Sequence, residues 1–319
     1  MKKLLTLLLA MAMVLSLAAC GGGDKPAAGA GDSAPADTSA PADTGSQDAG
    51  DAEPDYASMT IDELKPLIET AVEGTLTVAT SPDFAPYEFY SIDENGKPDL
   101  AGFDIALAGY VADYLGLKLE FTPIDFDGVL MEVQTKSADL GMAGLSPDPK
   151  RMNIMDFSEI YYKGGQSFCC VQSNKDLFPD LESTNKAEYQ IGAQTGSIQV
   201  DLAQTNSPDA DLIQLAKVTD IIAELLAGKM DGAYIETAVA ESYAKNYPDL
   251  CIALDVPYDV SGSAIGVVKD NPALLAGVNL AIAAAIEDGS MDQFVADANE
   301  LASGETYEGL LDADGNAAA

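Results

Sequence analysis

The chain has no histidine and no tryptophan, and only 16 Lys+Arg stand against 52 Asp+Glu, a formal net charge of −36. Without histidine, the commonest general base and the commonest metal ligand are both missing. The shortage of cations argues against nucleic acid as a partner, because holding phosphates takes a basic footprint. It argues equally against docking on anionic lipid. The acidic excess favours solubility near a crowded surface. It does not name a ligand, since the field inside a pocket can oppose the global one. Cysteine is also scarce. Apart from Cys20, the sequence holds Cys169, Cys170 and Cys251, which lack zinc-type spacing, so no metal centre is expected. Cys169 and Cys170 are adjacent on an apparent strand and therefore face opposite sides. Buried free thiols and a bridge from one of them to Cys251 both remain open. After the first twenty residues no apolar run approaches the ~18 residues of a membrane span.

The beginning of the chain supplies the first positive signal. Lys2 and Lys3 precede an apolar stretch, Leu4–Leu15, with signal-peptide proportions. Leu17-Ala18-Ala19-Cys20, followed by three glycines, resembles the lipobox of bacterial lipoproteins. That resemblance implies removal of the peptide before Cys20, diacylation of Cys20 and a lipid anchor on the extracytoplasmic face of the cell membrane. Each buried methylene of an acyl chain contributes ~0.8 kcal/mol, so two or three chains hold firmly. Residues 21–56 are mostly Ala, Asp, Gly, Pro, Ser and Thr with almost no large apolar side chain, and Ser33–Thr44 repeats itself. Such a segment cannot bury enough apolar surface to offset its ordering entropy, so a disordered tether is expected.

The remaining ~260 residues suit one large or two small domains. Strand and helix patterns alternate. Thr60–Val72 reads as a short helix and Thr75–Thr80 as a strand, with a turn at Asp93–Pro98. In Phe103–Leu115, Ile105, Ala108, Val111, Ala112 and Leu115 share one helical face, and Gly116 ends it. Further strands are predicted over Lys118–Thr122, Asp139–Ala143, Gln166–Val171, Gln190–Ala193, Gly232–Ile235, Ile252–Leu254 and Ala264–Val268. Further helices are predicted over Val129–Thr135, from near Ser197, over Asp220–Leu226, Thr237–Lys245 and Pro272–Glu287. This alternation predicts an α/β fold with mainly parallel sheets covered by helices. Ligands of such folds gather at the carboxyl ends of strands, near helix N-termini.

Six motifs in order then carry a family resemblance: Ser81-Pro-Asp-Phe-Ala-Pro-Tyr-Glu-Phe89, Ala101-Gly-Phe-Asp-Ile-Ala-Leu107, Asp125-Phe-Asp-Gly128, Ala143-Gly-Leu-Ser146 through Arg151 to Asp156-Phe-Ser158, Gln194-Thr-Gly-Ser-Ile-Gln199, and Gly228 to Glu236. Together they resemble the polar-amino-acid solute-binding proteins of ABC importers, from Gly74 to about Gly289. The resemblance implies two α/β lobes joined by two hinge strands, with the ligand between them. Residues 57–168 and 263–303 would form lobe one and 169–262 lobe two, with hinges near Cys169–Val171 and Ser263–Gly266 and an acidic tail over 304–319. It also implies a monomer that hands a free amino acid to a membrane permease, with no cofactor and no catalytic residue.

An amino acid presents a carboxylate, an ammonium and a side chain, and a desolvated site must satisfy all three. Arg151 can grip the carboxylate bidentately, which lysine does less well. The resemblance assigns it that role. It gives Ser146 and Gly144 contacts to the ammonium and carboxylate, Gly144 through its carbonyl and an unobstructed N–H. Ser197 and Ile198 open a helix whose N–H groups favour an anion; relatives carry a hydroxyl residue where Ile198 stands. Glu236 takes the position of an ammonium-binding Asp. Phe84 and Phe126 would sandwich the ligand side chain, with Tyr87 and Phe89 packed beside the cleft. Ser81 stands where relatives for cationic ligands carry an Asp, and Gln194 can hydrogen-bond an amide or hydroxyl. A polar, uncharged amino acid is therefore the expected ligand. Three rival functions are an enzyme like the cyclohexadienyl dehydratase that resembles the family, a sensor module, which is normally fused to a membrane helix and a signalling domain, and a purely structural surface lipoprotein.

Overall fold

The computed structural model describes residues 54–93, 95–260, 262–304 and 306–307. The expected signal peptide, Cys20 and nearly all of the expected tether lie outside the described residues. Strand β1 (Thr75–Thr80) is buried along almost its whole length, as befits an interior strand of a covered sheet. The chain then makes a small hairpin layer, β2 (Asp83–Phe84), β3 (Glu88–Ile92) and β4 (Pro98–Ala101). Its turn is tied by Asp93, whose Oδ1 accepts from the N–H groups of Asn95 and Lys97 at 2.8 Å each. Before β1, α1 is only Ile61–Leu64, extended by a 3-10 turn over Lys65–Leu67. The longer helix expected there is interrupted by Pro66, which lacks an N–H.

Helix α2 (Phe103–Leu115) has the predicted bounds; of the predicted face Ala108, Val111, Ala112 and Leu115 are buried, while Ile105 is only half-buried and Leu107 enters the core in its place. It leads into β5 (Lys118–Pro123), α3 (Phe126–Gln134), β6 (Leu140–Gly141) and β7 (Asp156–Tyr162). Strand β6 is shorter than the sequence pattern predicts. Asp139 turns its carboxylate back to the N–H and hydroxyl of Thr77, at 2.8 and 2.6 Å. Lobe two holds β8 (Gln166–Val171), β9 (Gln190–Gln194), α4 (Ile198–Asn206), β10 (Asp211–Leu215), α5 (Val218–Leu226), β11 (Gly232–Glu236), α6 (Thr237–Asn246) and β12 (Leu250–Val256). The chain returns to lobe one through β13 (Ser263–Val267), α7 (Pro272–Glu287) and α8 (Ser290–Ala302). Strand β14 (Thr306–Tyr307) pairs with β3, inside the segment the sequence assigns to an acidic tail. Among the described residues no single helix is long and apolar enough to cross a membrane.

Each lobe carries a five-stranded sheet, ordered β5-β1-β6-β13-β7 and β10-β9-β11-β8-β12. Both are mixed. In each, one strand runs against its neighbours, and it is the strand arriving from the other lobe: β13 in the first sheet, β8 in the second. Strand β8 pairs only with β11 and β12, so it belongs wholly to lobe two. The first crossing therefore falls at residues 163–165, a few residues before the expected Cys169–Val171. The second lies between Val256 and Ser263. Cys170 and Cys251 face each other across β8 and β12 with their Sγ atoms 3.7 Å apart; all three described cysteines are free and buried.

Gly102 fixes how α2 starts. Its φ is +124°, and a Cβ there would lie 2.1 Å from the carbonyl oxygen of Tyr87. That carbonyl accepts the Asp104 N–H at 2.9 Å, so backbone and helix meet without room for a side chain. Gly102→Ala is expected to cost about 2 kcal/mol, read by calorimetry as a Tm loss of roughly 4–8 °C. Gly109→Ala, on the same helix with nothing near its Cβ position, is the control and should be neutral or slightly stabilising.

Candidate functional site

The lobes meet across a nearly closed cleft with about 10 Å³ of free space, room for about one water molecule. Phe84, Phe126, Gly144, Ser146 and Arg151 line it from lobe one, and Gln194, Ser197, Ile198 and Glu236 from lobe two. These nine of the ten ligand residues expected from the sequence are brought together. Ser81 is not among them. It is buried behind the wall, where its hydroxyl donates to Asp83 Oδ1 at 2.7 Å. The sequence reading missed Ala143, Gln166 and Gln199, which also line the cleft. A far larger open groove, about 610 Å³, lies on lobe one between the β3–β4 hairpin, α2 and α8. It is built from one lobe and lacks a buried cation, so the interlobe cleft is the better candidate.

Arg151 is 7% exposed. Its Nη1 donates to the Ser146 carbonyl and its Nη2 to the Gly196 carbonyl of lobe two, both at 3.2 Å, and its guanidinium lies 5.4 Å from the Phe126 ring centre. It forms no ion pair with a described carboxylate. Burial accordingly pushes its pKa down. Glu236, 3% exposed, ends β11 and caps α6: Oε2 accepts from Val239 N at 2.9 Å and Oε1 from Gly165 N at 3.4 Å. Desolvation raises its carboxyl to about 7 against these bonds. A cation and an acid thus share one buried cleft, one from each lobe, without pairing with each other.

Helix α4 starts at the cleft wall. The Ser197 hydroxyl donates to the Gln194 carbonyl at 2.7 Å, so its side chain does not cap the helix. As the first two helical N–H groups, those of Ile198 and Gln199 have no intrahelical acceptor, which favours an anion at this end. Gly144 differs from the sequence expectation. Its φ is +56°, a Cβ would lie 2.7 Å from Phe84 Cε1, and its N–H is not free. It donates to Asp104 Oδ2 at 3.1 Å, so only the carbonyl is left for a ligand. Asp104 is itself buried, receives the Tyr161 hydroxyl at 2.6 Å, and is raised to about 6 by burial. Tyr87 is buried beside the cleft, as expected, its ring centre 5.4 Å from that of Phe84; Phe89 is buried away from it, in a small cluster with Ala85 and Ala302.

Other contacts bridge the lobes. Lys150 Nζ reaches both oxygens of Asp201 at 2.8 Å, an exposed pair at the rim. Deeper, the Asp83 carboxylate accepts from Gln194 Nε2 and from Val218 N, the first residue of α5. The lobes are therefore held closed on each other.

Two mixed α/β lobes, two crossing segments and a charged cleft between them define a ligand-enclosing binding protein. The chain matches the family described as bacterial extracellular solute-binding proteins, family 3, over residues 76–297, and belongs to it. It is 30% identical over 205 residues to the arginine-binding extracellular protein ArtP of Bacillus subtilis, covering 61% of this chain and 75% of that one. A solved structure of the amino acid ABC transporter substrate-binding protein AbpA from Streptococcus pneumoniae, bound to L-arginine, superposes with a TM-score of 0.70 at 32% identity, over 73% of this chain and 98% of the other. An ancestral arginine-binding protein bound to glutamine superposes with a TM-score of 0.62 at 32% identity, over 71% and 98%.

Proposed function

We propose that the chain is the lipid-anchored, extracytoplasmic receptor of an ABC importer, and that it captures a free amino acid with a polar, uncharged side chain and releases it unchanged to a membrane permease. The observation that carries this reading is the unpaired Arg151 and Glu236 in one buried cleft. A buried charge without a partner is costly, and a zwitterion between the two groups resolves both costs at once. The free N–H groups of α4 add anion binding beside Arg151, and the Gly144 carbonyl adds an acceptor for an ammonium. Because the two charged groups sit on different lobes, a ligand that joins them favours the closed arrangement over an open one.

The side-chain preference rests on the rest of the lining. Gln166, Gln194 and Gln199 supply amides, while Glu236 is the only carboxylate among the described lining residues. The nearby Asp83 is occupied by three donors. A guanidinium would find no spare acid, whereas a carboxamide or hydroxyl finds matching groups. The glutamine complex of the ancestral relative is compatible with this choice, and the arginine names of other relatives are its main competitor. Calorimetry across the twenty amino acids is expected to find micromolar binding, about −8 kcal/mol, for a polar uncharged ligand. Binding of arginine or lysine alone would refute the side-chain preference. No binding to any amino acid would refute the receptor reading as a whole.

A further inference from the structure

Among the described residues of lobe one, Asp83 is a buried carboxylate whose bonds reach into lobe two, to the cleft-lining Gln194. It is 6% exposed. Its Oδ1 accepts the Ser81 hydroxyl at 2.7 Å. Its Oδ2 accepts the Val218 N–H at 2.6 Å and the Gln194 side-chain Nε2 at 3.2 Å. Its main-chain carbonyl accepts the Tyr243 hydroxyl at 3.2 Å. Lys217 is near enough to favour its charged form. Gln194 Nε2 has a second acceptor, the Ala216 carbonyl at 3.0 Å.

This geometry decides which way the Gln194 amide faces. A carbonyl and an ionised carboxylate are acceptors only, so the atom between them must be the NH₂ group. Both of its hydrogens are then used. Oε1 is what remains of a side chain that lines the cleft. We propose that Asp83 is a positioning residue for ligand selection, holding Gln194 so that it presents an acceptor, and thereby admitting amino acids whose side chain donates a hydrogen bond. A carboxamide, hydroxyl or guanidinium satisfies that oxygen. An acceptor-only carboxylate leaves two oxygens facing one another without a proton between them. The inference rests on the amino-acid reading above and adds a selection rule to it. It also links selection to closure, because Asp83 and Gln194 belong to different lobes and bond only when these meet.

The test compares glutamine with glutamate, which differ little in shape and oppositely in donor capacity, by calorimetry on the full folded chain. Wild type is expected to prefer glutamine. Asp83→Ala leaves the Gln194 amide held by the Ala216 carbonyl alone and free to swing about that one bond, so its oxygen is no longer fixed toward the ligand and the glutamine-to-glutamate affinity ratio should fall by about ten-fold or more. Asp83→Asn should restore most of the ratio, since an amide oxygen can still accept from Val218 and Gln194 while the Ser81 hydroxyl turns to accept from its NH₂. In a Gln194→Leu background, Asp83→Ala should leave the ratio unchanged, as expected of two residues acting as one unit. Equal losses for both ligands in Asp83→Ala would overturn the proposal, leaving Asp83 a purely structural contact. So would a wild-type preference for glutamate, or a ratio that still falls in the Gln194→Leu background. These failures leave amino-acid binding itself intact, whereas a wild type that binds no amino acid removes both readings.

Discussion

Arg151→Ala is expected to weaken amino-acid binding by about 3 kcal/mol, a hundred-fold or more in Kd, without destabilising the empty protein. The two halves of this expectation come from one geometry. Arg151 is buried, and its donors reach only the carbonyls of Ser146 and Gly196. Neutral carbonyls do not cancel a full positive charge, and burial already lowers its pKa. The ligand carboxylate would supply the missing partner, so removing the guanidinium leaves that carboxylate buried without a cation. The same removal relieves the empty cleft of an unmatched charge. Unliganded Tm should therefore stay level or rise, while the ligand-induced shift in Tm disappears. Arg151→Lys keeps the charge but loses the planar fork that spans two carbonyls and a carboxylate, and about a ten-fold loss is expected. Titration calorimetry and thermal unfolding on the same samples check both halves. Unchanged affinity in Arg151→Ala would take the residue out of the site.

The sequence made the core helix and the site motifs legible for physical reasons that also explain what it hid. Helix α2 was readable because five apolar positions repeat at helical spacing and glycines bound it at both ends. Strand β7 was not predicted, because Asp156–Tyr162 mixes polar and apolar residues without clean alternation; only its pairing with β13 makes it a strand. Helix α8 was missed because Gly289 reads as a stop, whereas its φ of +81° turns the chain into a second helix. Arg151 and Glu236 were found through flanking motifs, since neither is distinguishable in composition from a surface charge. Gln166 escaped because it lies on a hinge-side strand with no motif around it. Asp83 escaped because its partners Gln194 and Val218 are more than a hundred residues away. The loss of the Gly144 N–H to Asp104 is likewise a long-range fact. Local pattern reveals elements and motif residues; which hydrogen bonds are already spent depends on the folded arrangement.

Ligand affinity and empty-state stability are expected to move in opposite directions as pH falls, and Glu236 is the reason. Its carboxyl is raised to about 7, chiefly by desolvation. Below that value the empty cleft holds a neutral acid, and a bound ammonium requires the proton to leave. Kd should then rise by up to about ten-fold for each pH unit below about 7, and level off above it. For the empty protein the linkage has the other sign. A raised carboxyl binds more protons folded than unfolded between its unfolded and folded pKa values, so its contribution is full below the unfolded value, near 4.5, and is lost as pH rises through about 7. Asp83 and Asp104, both raised to about 6 by burial, act in the same direction. Unliganded Tm should accordingly increase on mild acidification while binding weakens. Glu236→Gln separates this residue from the other carboxylates. The variant should lose about 2–3 kcal/mol of binding at high pH, where it lacks a charge for the ammonium. It should lose most of the pH slope, so that variant and wild type converge in mildly acidic buffer. Calorimetric Kd values for both proteins across the pH range decide the matter: an equally steep slope in Glu236→Gln would mean that the ammonium is held by a different group.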